Sequence, residues 1–205
     1  SLDSGKLSVS SRNFNADFAT ISSEDFPEIE INEEQRPIFI DSAKFKRVLS
    51  KTSFSMASQD VRYYLNGMLL EIGAGKINGV ATDGHRLAFS CVEAASTELE
   101  TRNILPRKAV LELAKLLSSN DESIELLIGA SYVDIRTENL RFCSKLIDGK
   151  YPDYDKVFPS GDSFPLEVSK ELLQSALTRA SVLSNEKYRG VRFELTKNKL
   201  KLTAN

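Results

Sequence analysis

Asp41-Ser42-Ala43-Lys44-Phe45-Lys46-Arg47-Val48-Leu49 can be set beside Val168-Ser169-Lys170-Glu171-Leu172-Leu173-Gln174-Ser175-Ala176, at an offset of 127. Both strings read as a short strand, a serine near a helix start, and then an amphipathic helix. Downstream, Asn66-Gly67-Met68-Leu69-Leu70-Glu71-Ile72 matches Arg189-Gly190-Val191-Arg192-Phe193-Glu194-Leu195, and Ala81-Thr82 matches Ala204-Asn205, each at an offset of 123. The change of four residues falls in the loop between helix and strand. Self-similarity at a fixed spacing marks a structural module used more than once, and that decides the fold.

A weaker echo links Gly5-Lys6-Leu7-Ser8-Val9-Ser10 to Asn139-Leu140-Arg141-Phe142-Cys143-Ser144, and Phe26-Pro27 to Tyr151-Pro152. The simplest account is a module of about 125 residues, seen once whole and twice in part. Residues 1–36 are then the C-terminal end of one copy, 37–163 a complete copy, and 164–205 the start of a third.

Inside the complete copy the helices follow from period. Val110, Leu113, Ala114 and Leu117 recur at i, i+3, i+4 and i+7, with Lys108, Glu112, Lys115 and Ser119 on the opposite face. Pro106 stands just ahead of this helix, where its missing N–H costs little. The earlier helix is expected to bury Phe45, Val48, Leu49 and Thr52 and to expose Lys44, Arg47 and Lys51. Alternation of period two places strands at 86–92, 123–128, 131–136 and 140–145, and Gly73-Ala74-Gly75-Lys76 reads as a turn. Each module therefore holds two helices and several antiparallel strands, an α+β class.

Composition narrows function. With 27 Lys plus Arg against 29 Asp plus Glu, the net charge of −2 is unremarkable, but it is unevenly spread. Acids dominate between residues 16 and 34, whereas Arg36, Lys44, Lys46, Arg47, Lys51 and Arg62 follow with only Asp41 and Asp60 against them. A weakly acidic whole can still carry a basic face. No apolar run approaches the roughly 20 residues of a membrane helix, and Ser1-Leu2-Asp3-Ser4-Gly5 lacks the regions of a signal peptide. A cytoplasmic protein without membrane contact is expected. Cys91 and Cys143 are far apart and there is a single histidine, which argues against a disulfide framework or a structural zinc site; each cysteine reads as a small apolar residue within a strand.

Thr82-Asp83-Gly84-His85-Arg86-Leu87 is the most unusual string. Asp-Gly favours a tight turn, so His85 and Arg86 should stand at the mouth of a hairpin. Read as chemistry, Asp83 and His85 could hold a metal in an enzyme acting on nucleic acid. No second histidine completes a cluster, however, and a one-residue gap orients the pair poorly. No G-x-S-x-G, no phosphate loop and no dinucleotide fingerprint occurs. Tyr63-Tyr64 between Arg62 and Asn66 mixes aromatic and basic groups as nucleic-acid surfaces do, although a strand edge with one tyrosine in the core is the plainer reading.

Several longer strings are more specific than any of these. Asp60-Val61-Arg62-Tyr63-Tyr64-Leu65-Asn66-Gly67, Ala81-Thr82-Asp83-Gly84-His85-Arg86-Leu87, Pro106-Arg107-Lys108, Ser144-Lys145-Leu146-Ile147-Asp148-Gly149-Lys150-Tyr151-Pro152-Asp153-Tyr154 and Ser184-Asn185-Glu186-Lys187-Tyr188-Arg189-Gly190-Val191-Arg192 resemble, in order and over essentially the whole chain, the bacterial β sliding clamp family, the β subunits of DNA polymerase III. The resemblance implies a non-catalytic processivity factor without cofactor or metal. It implies three similar domains per subunit, a head-to-tail homodimer, and a ring lined by helices that encircles duplex DNA without regard to sequence. It also implies that this chain holds the end of the first domain, the second, and the start of the third.

The same resemblance assigns a pocket for short linear peptides, of the QLxLF type, from the polymerase III catalytic subunit, the clamp loader, other polymerases and repair proteins. Arg62, Leu65, Thr82, Gly84, His85, Arg86, Leu87, Pro152, Lys156 and Val157 match its positions, with Tyr188 from the third domain. Leu65, Leu87, Pro152 and Val157 offer apolar surface, and Arg62, Arg86 and Lys156 can hold carbonyls or carboxylates. Lys156 stands where many relatives carry arginine, which loses bidentate geometry, and Tyr188 where phenylalanine is frequent. The expected DNA-facing residues are Tyr63, Tyr64, Arg107, Lys108, Lys44, Arg47, Lys51 and Lys115.

Overall fold

The Asp41 carboxylate accepts the Lys44 N–H at 2.8 Å, ending a strand and capping a helix in one residue. The computed structural model describes residues 2–3, 5–26, 37–94, 100–117, 123–158, 165–182 and 190–204. It begins with β1 (Leu2–Asp3), β2 (Lys6–Ser11) and β3 (Phe14–Ala19), a small sheet in that order. Then come β4 (Ile38–Asp41), α1 (Ser42–Thr52), β5 (Gly67–Gly73), β6 (Lys76–Thr82), β7 (Leu87–Glu93), β8 (Thr101–Pro106) and α2 (Arg107–Leu116). The strands β9 (Ser123–Ile128), β10 (Tyr132–Arg136) and β11 (Arg141–Lys145) complete this part, followed by α3 (Lys170–Val182), β12 (Val191–Thr196) and β13 (Lys199–Ala204). Helices with purely antiparallel sheets make the class α+β, as the repeat predicts. The chain divides into two units, Ser1–Pro152 and Asp153–Asn205.

In the first unit two four-stranded sheets, β7-β6-β5-β8 and β11-β10-β9-β4, share one core with both helices. The isolated pair Ile104 and Ile147, with the Ile147 N–H donating to Ile104 at 2.9 Å, joins the two sheets at β8. Phe45, Val48, Leu49 and Thr52 of α1 are buried as their spacing requires. Val110, Leu113 and Leu117 are fully buried on and just beyond α2, while Ala114 is half-buried. Gly79 lets α1 sit this close to β6: a Cβ there would meet Val48 Cγ1 at 2.4 Å. Thr52 is satisfied within its helix, its Oγ1 donating to the Val48 carbonyl at 2.8 Å.

The weaker echo proves to be one strand out of step. Residues 5–10 lead into the first strand of the hairpin β2–β3, whereas 139–144 lead into β11, the second strand of the hairpin β10–β11. The counterpart of β2 is therefore β10. A period-two pattern looks alike in both strands of a hairpin, which is why the strings aligned in the wrong frame. Pro27 lies outside the described residues. Both cysteines lie in strands, Cys143 half-buried but Cys91 exposed on β7 rather than packed.

In the second unit α3 packs on the hairpin β12–β13. Ser169 starts the helix by accepting the Leu172 N–H through its hydroxyl at 3.3 Å, as the repeat string implies. The short strand expected ahead of α3 is absent, residues 165–169 being irregular, but in the hairpins the stronger repeat holds to the residue. Gly73 pairs with Lys76 at the β5–β6 turn, and Thr196 pairs with Lys199 at the β12–β13 turn. The second residue of each turn has positive φ, Gly75 at 70° and Asn198 at 58°.

Candidate functional site

The string 82–87 forms the β6–β7 hairpin, with Thr82 opposite Leu87. Gly84 sits at φ 89°, in the left-handed region that favours glycine. Asp83 organises the turn: one carboxylate oxygen accepts the backbone N–H groups of His85 at 3.0 Å and Arg86 at 3.1 Å, and the other takes Arg86 Nε at 3.0 Å. Burial alone would raise its pKa. These two N–H groups and the Arg86 guanidinium outweigh that and hold the carboxyl below the usual range. The Thr82 hydroxyl donates to the Arg86 carbonyl at 2.7 Å and accepts the Gly84 N–H at 3.1 Å, closing the loop from within. His85 and Arg86 are exposed, as expected at a hairpin mouth, and the Arg86 guanidinium lies over the Phe54 ring at 5.9 Å.

Arg62 braces the turn from outside. It precedes a 3-10 turn, Tyr63–Leu65, which places Leu65 in the core at 2% exposure and leaves Tyr63 exposed and Tyr64 half-buried. This replaces the expectation of a strand edge with a buried tyrosine. Arg62 meets Asp60 through three hydrogen bonds, its backbone N–H at 2.8 Å, Nε at 3.0 Å and Nη2 at 2.8 Å, and its Nη2 also reaches the Asp83 carbonyl at 3.3 Å. The Arg62 guanidinium and N–H hold the Asp60 carboxyl down at about 2. Asp60 is fixed in turn by Asn66, whose side-chain amide donates to the Asp60 carbonyl at 2.8 Å and accepts its N–H at 2.9 Å. A Cβ on Gly84 would come within 3.1 Å of the Arg62 guanidinium, the movable end of that side chain, so the demand for glycine here comes from φ.

Around the turn lies an open depression of about 500 Å³ whose walls include Phe54, Asp60, Arg62, His85, Arg86 and Arg107. Arg107, expected to face DNA, thus shares a surface with residues expected to bind peptide, and one of its Nη groups donates to the Met56 carbonyl at 3.0 Å. Leu87 is half-buried at the start of β7, and Pro152 is half-buried at the end of the first unit. Lys156 and Val157 are exposed on the 3-10 turn Tyr154–Val157 of the second unit, and Lys156 pairs with Asp153 at 2.7 Å. Tyr188 lies outside the described residues.

Lys44, Arg47 and Lys51 are exposed on α1, and Lys108 and Lys115 on α2, Lys115 pairing with Glu112 at 3.0 Å. Both helices bury their apolar stripes in the same core, so the basic stripes face away from it. Neither first turn carries an acid, although Asp or Glu there would stabilise a helix. Asp83, a candidate metal ligand in the sequence, orients the turn instead, while Asp60, Asn66, Phe54 and Tyr151 were not singled out there; they are ordinary residues made useful by position. Asp83 has both oxygens engaged, and among the described residues no three His, Cys, Asp or Glu side chains form a group able to hold a metal ion. No described helix is long and apolar enough to cross a membrane.

Residues 39–153 match the family model described as DNA polymerase III beta subunit, central domain, and residues 155–205 the model for the C-terminal domain of the same subunit. A Beta sliding clamp of Pseudomonas putida is 41% identical over 206 residues, covering 100% of this chain and 56% of the relative. The crystal structure of the DNA polymerase III subunit beta from Pseudomonas aeruginosa superposes with a TM-score of 0.88 at 40% identity, again over 100% of this chain and 56% of that one. A sliding clamp from the same organism bound to griselimycin gives a TM-score of 0.86 at 40% identity, with the same coverage. The chain spans about half the length of the relatives it matches.

Proposed function

Because the chain belongs to the DNA polymerase III beta subunit family, we propose that it is part of a sliding clamp, a non-catalytic, cytoplasmic processivity factor that encircles duplex DNA and tethers replication and repair proteins. Its domains are residues 1–36, 37–163 and 164–205: the end of the first, the whole second, and the start of the third. In the intact protein, two subunits associate head to tail. The exposed basic stripes of α1 and α2, with Tyr63, Tyr64 and Arg107, line the DNA side. Retention is topological, so these charges need attract only weakly, as a sliding contact requires.

The observation that carries the partner-binding role is the braced turn at 82–87. Its backbone is held by hydrogen bonds within the protein, from Asp83, Thr82 and Arg62, and a surface fixed in this way loses less entropy on capturing an extended peptide. The partners are the polymerase III catalytic subunit, the clamp loader, other polymerases and repair proteins. Titrating the intact protein with a QLxLF-type peptide should shift the NMR signals of Arg62, Leu87 and Val157. Leu87→Asp, which puts a charge into the apolar part of the groove, should abolish binding. Shifts confined to other residues, or unchanged affinity in Leu87→Asp, would refute the pocket.

A further inference from the structure

The β5–β6 ladder ends at the pair Leu69 and Val80. Continued in register it would set Met68 against Ala81 and then Gly67 against Thr82, but neither pair forms, while Gly67 keeps its pairing with Pro106 on the opposite, β8 side. The last residue of β6 therefore has no ladder partner on the β5 side, at the position where the turn begins. The Tyr151 hydroxyl replaces that partner, accepting the Thr82 N–H at 3.1 Å. The same Thr82 carries the hydroxyl that bonds Arg86 and Gly84.

Tyr151 is well placed to hold this position. Its ring is buried, 5% exposed. The segment leading to it is anchored at Ile147 by the hydrogen bond to Ile104. At Gly149 it lies against Tyr63 and Tyr64, where a Cβ would meet Tyr63 Cε2 at 3.2 Å. The segment 147–151 thus runs from β8 past the aromatic pair to the hairpin turn, where the phenol bonds Thr82.

We infer that Tyr151 is a positioning residue for partner binding: its hydroxyl completes the edge of β6 and so fixes the turn that presents Thr82, Gly84, His85, Arg86 and Leu87. This role rests on the pocket proposed above. Tyr151→Phe keeps the ring and removes only the acceptor. In the intact protein, at a temperature at which circular dichroism shows the variant folded, affinity for a QLxLF-type peptide should fall roughly five- to tenfold, mostly through faster dissociation. The Thr82 amide should lose protection from hydrogen exchange. Thr82→Val, which removes the hydroxyl inside the turn, should weaken binding by less than its own factor when combined with Tyr151→Phe, because both loosen the same loop. Unchanged affinity in Tyr151→Phe while Leu87→Asp abolishes binding would overturn the role of Tyr151 and leave the pocket standing, as would a lowered melting temperature without loss of affinity. Native affinity in Leu87→Asp would overturn both.

Discussion

Arg62 acts at the centre of a relay of small fixed contacts. Asn66 holds the Asp60 backbone, Asp60 holds the guanidinium, and the guanidinium reaches the carbonyl of the turn. Because the Asp60 pKa in the folded protein, about 2, lies below its ordinary value of 3.8, the pair is intact above about pH 4 and is lost as pH falls toward 2. A carbon NMR titration of the Asp60 carboxyl should find its midpoint near 2, with the Arg62 Nε–H signal moving in step. A midpoint at the ordinary value would mean that the pair does not hold in solution. The positions of this site were legible in the sequence as strings, but its connections were not. Gly84 announced a turn because only backbone freedom was in question. That the Arg62 guanidinium lies against Gly84, and that Tyr151 closes the strand, depends on segments far apart in the chain and has no local pattern.

At the scale of elements, the sequence speaks most clearly where one face is buried. The stripe Phe45, Val48, Leu49 and Thr52 foretells α1, and alternation foretells β9 with the same limits. The frame of a hairpin is less visible, and the N-terminal echo slipped by one strand for that reason. Gly79 shows what pattern alone leaves out, since its lack of a side chain sets how closely α1 can approach the sheet. Gly79→Ala drives a methyl toward Val48 Cγ1, which is fully buried and has little room to withdraw. It should destabilise the intact protein by about 1–3 kcal/mol. Urea unfolding should show a lower midpoint at unchanged slope, and adding Val48→Ala should recover part of the loss. Full stability in Gly79→Ala would show that the helix can shift at little cost.

For the whole molecule, the proposed ring separates how strongly the protein is attracted to DNA from how long it stays there. Reversing Lys44, Arg47 and Lys51 together to Glu should slow association with DNA and flatten its salt dependence. It should leave retention on closed circular DNA through a salt wash unchanged, while linearising the circle should release wild type and variant alike. Loss of the variant from closed circles would instead mean that charge, not topology, retains it.

The matched registers of β5–β6 and β12–β13 also bear on how the chain avoids assembling wrongly. A chain carrying two hairpins with the same turn offset and the same pairing frame gives each sheet a rival strand while it folds. If β12 took the place of β5, Arg192 would occupy the position of Leu69, a side chain only 1% exposed, and an unpaired cation would be sealed in the core. That mismatch would set an energetic cost on the exchange that the native pairing does not carry.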